Sequence, residues 1–256
     1  MIEQALHQAG SDWRFLTFEV GSEDLGDAIR GVRALGLRGA KIIEPHREAV
    51  LEFVDHQTRH ARLARWANSI TLANRQLTAD NTVGKALVRL VDTIAGKRFC
   101  ILGAGLAARA IATALALDGA AELLVVSRSA EKGAAITQSV GEISGVATRH
   151  INWPDGKLTV APQFEVLVNA TSVGSAETDA PLAIDLDSLR TELTVADVSF
   201  TTPTTWLLRA AGERGCPSID GLSLLVEQTA IALRAWSDIE ADRAAMREAA
   251  EEFLAI

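Results

Sequence analysis

The apolar run Phe99-Cys100-Ile101-Leu102 leads directly into Gly103-Ala104-Gly105-Leu106-Ala107-Ala108, and apolar residues then continue at helical spacing. A buried strand that turns on glycines into a helix matches the dinucleotide fingerprint G-x-G-x-x-A. In that motif Gly103 permits the tight turn, Gly105 lets backbone approach a pyrophosphate, and Ala107 or Ala108 allows close helix packing. Amides near Leu106 then face the phosphates. Small residues at such a turn also serve packing alone, so the continuation matters. A helical segment from Leu106 to Leu117 precedes Glu122-Leu123-Leu124-Val125-Val126, the second strand that a βαβ unit requires. An NAD site carries Asp or Glu about 20 residues past the glycines. This chain has Ser127-Arg128-Ser129 at the end of the second strand. An arginine between two hydroxyls suits a 2′-phosphate, which makes NADP the expected cofactor; the competing reading is an ordinary solvated arginine.

A chain of 256 residues, 48% hydrophobic and 23% charged, is long enough for two modest cores. Its net charge of -8 and lack of a long basic block argue against nucleic acid or an anionic membrane surface as partner. No apolar run approaches the roughly 18 residues of a membrane span, and the N-terminus lacks a basic segment followed by a signal core, so a cytoplasmic protein is expected. Cys100 and Cys216 form neither a disulfide framework nor a metal spacing.

Phe15 to Val20 alternates like a strand, and Ser22 is a plausible cap for a helix with Leu25, Ile29, Val32 and Leu35 on one face, ended by Gly36. Gly39 to Glu44 reads as a second strand. Pro45 suits the first turn of a following helix. A helix around Arg59 to Trp66 and a strand from Ser69 to Leu72 continue this β-α-β-α rhythm. Glu52, His56 and His60 recur at i, i+4 and i+8, on one helical face. Nothing completes a ligand set around them, so a solvated face is expected and no metal. Further on, Phe164 to Asn169 and Leu193 to Val198 read as strands, Thr205 to Arg214 as a helix, and Pro217 to Asp220 as a last strand. Strands alternating with helices predict a parallel doubly wound sheet with ligand at the carboxyl ends. The amphipathic tail from Leu222 to about Leu254 is expected to be helical and to bridge both domains.

Taken in order, several pieces resemble the shikimate dehydrogenase family over most of the chain. They are Gly39 through Pro45-His46-Arg47, Asn68-Ser69, Asp80-Asn81-Thr82, the glycine loop, Ser127-Arg128-Ser129, Asn169-Ala170-Thr171-Ser172-Val173-Gly174, Asp197-Val198-Ser199-Phe200 with Thr205, and Asp220-Gly221 with Leu225-Val226-Glu227-Gln228. The resemblance implies an α/β protein of two domains. Residues 1–92 would be an α/β substrate-binding domain with a truncated first strand, 93–234 a Rossmann NADP-binding domain, and 235–256 a C-terminal helix packing back on the first domain. It also implies that Gly103, Ala104, Gly105, Leu106, Ala107, Ser127, Arg128, Ser129, Asn169, Ala170, Thr171, Ser172 and Gly221 attend the cofactor, Gly221 by its backbone near the nicotinamide. Asn68, Asn81 and Gln228 stand where the family places substrate-contacting amides.

The substrate half departs from the family. Where members carry Val-Thr-Ile-Pro-His-Lys this chain has Ile42-Ile43-Glu44-Pro45-His46-Arg47, and where they carry Asn-Thr-Asp it has Asn81-Thr82-Val83. Arg47 therefore occupies the place of the catalytic lysine and Val83 that of its aspartate. Arginine cannot give up a proton near neutral pH, and valine cannot titrate. The family's carboxylate-gripping serine pair has no counterpart in this sequence, which starts at about the following helix, and a longer natural chain would restore it; the family's Tyr-Asn-Pro is Phe200-Thr201-Thr202 here. The resemblance thus implies an NADP-dependent oxidoreductase for a small hydroxy or keto acid with altered or impaired shikimate activity. Arg47 would hold an anion or polarise a carbonyl, and His46, Lys85 or Asp80 would take over proton transfer. The alternative is a non-catalytic NADP-binding sensor or scaffold. A sheet edge left open by a missing strand makes a homodimer plausible.

Overall fold

The computed structural model describes residues 1–174, 180–202 and 204–254. They divide into two compact units: Met1–Ala86 together with the stretch from Val226 onward, and Leu87–Leu225.

In the first unit the chain runs through α1 (Ile2–Gln8), α2 (Leu25–Ala34), β1 (Gly39–Lys41), β2 (His56–Gln57), α3 (Arg59–Ala64), β3 (Ser69–Ala73), β4 (Gln76–Asp80) and into α4 (Thr82–Leu90). The sheet order is β1-β3-β4-β2; β3 pairs antiparallel with both β1 and β4, and β2 pairs parallel with β4. The β3–β4 hairpin turns on Asn74 and Arg75, both at positive φ, the geometry that matches strand twist. Side chains alternate across this sheet. Ala40, Ile70, Leu72, Leu77 and Ala79 share the face that packs on Leu25, Ile29 and Val32 of α2 and on Val50. Gly39, Lys41, Ser69, Thr71, Thr78 and Asp80 make the opposite, polar face.

The second unit continues with β5 (Arg98–Leu102), α5 (Leu106–Leu117), β6 (Glu122–Ser127), α6 (Ala130–Ser144), β7 (Ala147–Asn152), β8 (Val166–Asn169), β9 (Thr194–Asp197), α7 (Trp206–Gly212) and β10 (Ser218–Ile219). Its sheet is parallel throughout, in the order β10-β9-β8-β5-β6-β7. That is the doubly wound 3-2-1-4-5-6 order, whose strand direction of growth reverses at β5 and leaves a crevice at the carboxyl ends. The central strands are apolar up to Asn169 because both faces are covered: every residue of β8 is buried, as is β5 beyond Arg98.

The chain closes with α8 (Gly221–Ser237) and α9 (Arg243–Leu254), separated at Asp238, which has positive φ. Val226, Ala230 and Leu233 of α8 and Met246 of α9 pack with Ile2, Ala5 and Leu6 of α1. By its contacts the chain returns to the first unit at Val226, within α8.

Several sequence expectations change. Phe15 to Val20 forms no strand: among the described residues no strand lies beside it, Leu16 and Phe18 are each 66% exposed, and Phe15 instead stacks on Trp236 with ring centroids 6.3 Å apart. Leu35 caps α2 at 74% exposure, off the buried face. Pro45 lies in a turn that precedes a single 3₁₀ turn at Ala49–Glu52. Glu52, His56 and His60 fall in that turn, in β2 and in α3, so they share no helical face, and no metal-type cluster occurs among the described residues. The first unit's sheet is mixed, not parallel, since a hairpin supplies its centre. Strands β2, β4 and β7 are additional to those read from the sequence.

Candidate functional site

In the second unit the predicted cofactor residues gather at the carboxyl ends of β5, β6, β8 and β9. Gly103 follows β5 at φ +103°, and a Cβ there would lie 2.7 Å from the Ala170 carbonyl oxygen. Only glycine fits. Gly105 is exposed, and nothing lies within 4 Å of where its Cβ would stand. Gly105 also precedes α5 with no side-chain cap, so backbone is presented outward at the positive end of a 12-residue helix. Ala104 and Ala107 flank that approach half-buried. Ala108, fully buried, is the residue that brings α5 onto the sheet.

At the end of β6 the three predicted residues separate in role. Ser127 is buried; its hydroxyl donates to the Ser129 carbonyl at 2.8 Å and lies 3.0 Å from His150 Nε2, which must then carry the proton. Ser129 Oγ accepts the Lys132 amide at 3.3 Å and caps α6, which leaves its O–H to donate elsewhere. Arg128 is exposed and has no ion-pair partner among the described residues. The cation needed for a 2′-phosphate is thus available, with one hydroxyl beside it.

A buried network holds the next turn. Asn169 Nδ2 donates to the Val173 carbonyl at 2.9 Å and to Asp197 Oδ2 at 3.0 Å, while its Oδ1 accepts the Thr171 amide and hydroxyl at 3.1 and 2.7 Å. Asp197 also accepts from Thr205 Oγ1 at 2.8 Å and from the Ser199 amide at 3.0 Å; burial pushes its carboxyl up despite these donors. The Ala170-Thr171-Ser172 turn is therefore fixed from within β8 and β9. Gly221 starts α8 where a Cβ would meet the Ser199 carbonyl oxygen at 2.1 Å, and Asp220 Oδ1 caps the helix at the Ser223 amide, 2.7 Å. Together these features fit a phosphorylated dinucleotide: an uncapped helix start behind Gly105, a guanidinium with no ion-pair partner among the described residues, and two glycines, Gly103 and Gly221, where a side chain would clash with backbone.

The first unit carries a second cluster. Asn68 is fully committed: its Oδ1 accepts the Thr82 amide at 2.8 Å and its Nδ2 donates to Thr82 Oγ1 at 2.9 Å and Gln228 Oε1 at 3.0 Å. Gln228 thereby keeps its amide nitrogen uncommitted among the described residues. Asn81 Nδ2 donates to the Trp66 carbonyl at 3.2 Å and its Oδ1 accepts the Val83 amide at 3.2 Å, so Asn81 fixes the start of α4 and Val83 supplies only an apolar side chain.

Arg47 stacks over buried Trp66, with Cζ 5.3 Å from the ring centroid, and reaches Glu44 at 3.4 Å. Its Nε is buried with no hydrogen-bond partner among the described residues. A donor left in that state costs stability unless something accepts from it. The substitutes expected for proton transfer are otherwise engaged. His46 Nε2 lies 2.9 Å from the Val20 carbonyl, and Lys85 Nζ makes a two-point pair with Asp80 at 2.8 and 2.6 Å, Thr58 Oγ1 also donating to Asp80 at 2.6 Å.

One group here escaped the sequence reading. Lys41, the last residue of β1, is half-buried and donates to Thr229 Oγ1 of α8 at 2.8 Å. Burial, reinforced by the nearby Arg47 charge, pushes its ammonium down to about 8. The signal available was a lysine between Ala40 and Ile42 in a short apolar strand. The cysteines stay bystanders, with the Cys100 thiol pushed up to about 12 by burial.

Comparison with known proteins places this geometry. Residues 1–70 match the family model described as shikimate dehydrogenase substrate binding domain, and residues 85–179 that of shikimate / quinate 5-dehydrogenase. The shikimate dehydrogenase (NADP(+)) of Thermococcus kodakarensis is 35% identical over 98% of this chain and 90% of its own length, and that of Methanopyrus kandleri 32% identical over 99% and 90%. Among solved structures, 5-ketofructose reductase of Gluconobacter sp. strain CHM43 superposes with a TM-score of 0.95 at 35% identity, covering 98% of this chain and 92% of that one. Shikimate 5-dehydrogenase of Listeria monocytogenes, in complex with shikimate and NAD, gives 0.91 at 28% identity, over 97% and 89%. The chain belongs to the shikimate dehydrogenase family.

Proposed function

We propose that this protein is an NADP(H)-dependent oxidoreductase that interconverts a small polyhydroxylated carbonyl compound and its alcohol, with shikimate a poor substrate. The observation that carries the reading is the pair of side chains at 47 and 83. Arginine and valine lack the acid–base chemistry of the lysine and aspartate that the family resemblance places at these two positions, whereas the residues disposed for the cofactor are intact. When bound, NADP(H) exchanges a hydride with the carbon that carries the oxygen.

The chain's own residues do the rest. Gly103 to Leu106 bring backbone to the pyrophosphate, Arg128 and the Ser129 hydroxyl meet the 2′-phosphate, and the Asn169 network fixes the turn through Ser172. Arg47 Nε donates to a carboxylate or carbonyl oxygen of the substrate, and the free Gln228 amide nitrogen donates to one of its hydroxyls. The name of the relative that reduces a keto sugar supports a reaction outside the shikimate class, at 35% identity over nearly the whole chain.

The test is a panel in which reduced-nicotinamide absorbance is followed with NADP plus shikimate or quinate, and with NADPH plus 5-ketofructose. The expected result is kcat/KM for the keto sugar above that for shikimate by about tenfold or more, a difference of about 1.4 kcal/mol in transition-state binding. Shikimate oxidation at rates ordinary for the family would overturn the reading.

A further inference from the structure

We propose that Lys41 is the catalytic acid and base of this protein, replacing the lysine and aspartate that positions 47 and 83 no longer supply. The proposal rests on the oxidoreductase reading and adds to it the group that moves the proton.

The argument begins with where β1 puts the side chain. Lys41 pairs across the ladder with Ser69 and shares the polar sheet face. Its Nζ reaches Thr229 Oγ1 at 2.8 Å, and the next residue back on α8, Gln228, is joined to Asn68 at 3.0 Å. The ammonium is thus held on α8 at the residue next in sequence to Gln228, one of the amides that the family resemblance assigns to substrate.

Its charged surroundings favour release of a proton. Arg47 is the cation that bears on it. The carboxylates on neighbouring elements are taken by other cations: Asp80 of β4 by Lys85, Glu227 of α8 by Arg243 at 3.1 Å, Glu240 by Arg234 and Arg243, and Glu44 by Arg47. Arg38 lies over the Trp13 ring instead, 5.1 Å from its centroid. A lysine that has lost water, faces a guanidinium and is met only by a hydroxyl holds its proton weakly. Lys85 is instead clamped by both carboxylate oxygens of Asp80 at 2.8 and 2.6 Å.

The step balances as follows. In reduction the carbonyl carbon gains the hydride that the nicotinamide cofactor supplies, and the π pair moves onto oxygen. Lys41 Nζ–H breaks, O–H forms, and the bonding pair stays on nitrogen as a neutral amine, which recovers a proton from water. The substrate is reduced and the cofactor oxidised. In the reverse direction the neutral amine accepts the hydroxyl proton as hydride leaves the carbon.

The test compares the intact protein with Lys41→Met, Lys41→Ala and Lys85→Met, each checked for folding by its thermal melt. Lys41→Met is expected to lose about 10²- to 10⁴-fold in kcat with NADPH binding unchanged, and added alkylamine to restore part of the rate of Lys41→Ala. In the ligand-free protein, an NMR titration of lysine side chains is expected to show one midpoint near 8, absent from Lys41→Met. A Lys41→Met rate within about threefold of the parent, or the loss appearing in Lys85→Met instead, overturns the proposal and leaves the oxidoreductase reading standing. A parent protein that binds NADPH and turns over no member of the panel overturns both.

Discussion

The Trp236 ring occupies the space that a side chain on Gly39 would need. A Cβ at Gly39 would lie 2.3 Å from Cδ1 and Nε1 of the indole and 2.4 Å from the Ile70 carbonyl oxygen, to which Trp236 Nε1 donates at 2.9 Å. The missing side chain lets α8 settle on β1, and two residues further along the strand Lys41 meets Thr229. Gly39→Ala is therefore expected to destabilise the protein by about 1–3 kcal/mol, as overpacking does. The urea midpoint should fall with the slope of the transition preserved. An unchanged midpoint would contradict this account of the contact.

Lys41 also sets a pH dependence of stability. Its folded-state value, near 8, is below the ordinary lysine value, so between pH 8 and about 10.4 the unfolded chain binds more protons than the folded one. Stability contributed by this position rises with pH across that window, and below pH 8 the full penalty of the buried charge applies. Lys41→Met is expected to be more stable than the parent at pH 7, by on the order of 3 kcal/mol, with the gap closing toward pH 10. Urea melts of both proteins at the two pH values measure it. A gap that widened with pH would show that the ammonium is stabilised where it sits.

Arg128 is predicted to choose the cofactor. It is exposed and pairs with nothing among the described residues, so Arg128→Leu should leave the thermal melt unchanged. Removing one charge-assisted contact to the 2′-phosphate should weaken NADPH binding by about 10- to 100-fold while NADH binding holds. Fluorescence titration with both nucleotides checks it, and equal weakening of the two would contradict the assignment.

Gly103 answers to both fold and ligand. Alanine there would be forced to φ +103° with its Cβ against the Ala170 carbonyl, so the turn must move. Gly103→Ala should lose about 1–3 kcal/mol of stability and most NADPH affinity. Gly105→Ala, with open space around its Cβ, should lose affinity with little change in the melt. That contrast between two glycines of one loop is read by the same titration and melt.

Much of the second unit was legible because its signals are local. Phe99 to Leu102, the glycines and the α5 apolar repeat announce strand, turn and helix within a dozen positions, and Ser127-Arg128-Ser129 follows at the distance a βαβ unit imposes. The first unit was harder. Phe15 to Val20 alternates like a strand, yet alternation cannot supply a neighbouring strand to pair with, and the segment is held by Phe15 on Trp236 instead. Glu52, His56 and His60 keep helical spacing across three different elements. The Lys41–Thr229 contact joins residues 188 positions apart, and no periodicity reports so distant a meeting. The resemblance supplied positions 47 and 83; only the fold shows that Arg47 has a buried donor to offer and that Lys41 reaches Thr229 beside Gln228 on α8.

The most direct test is the rate of NADPH consumption by the purified protein with 5-ketofructose, set beside NADP reduction with shikimate on the same preparation. The account predicts turnover of the keto sugar, with kcat/KM exceeding that for shikimate by about tenfold or more. Shikimate oxidised at a rate ordinary for the family, with the keto sugar untouched, would show that Arg47 and Val83 leave shikimate oxidation in place.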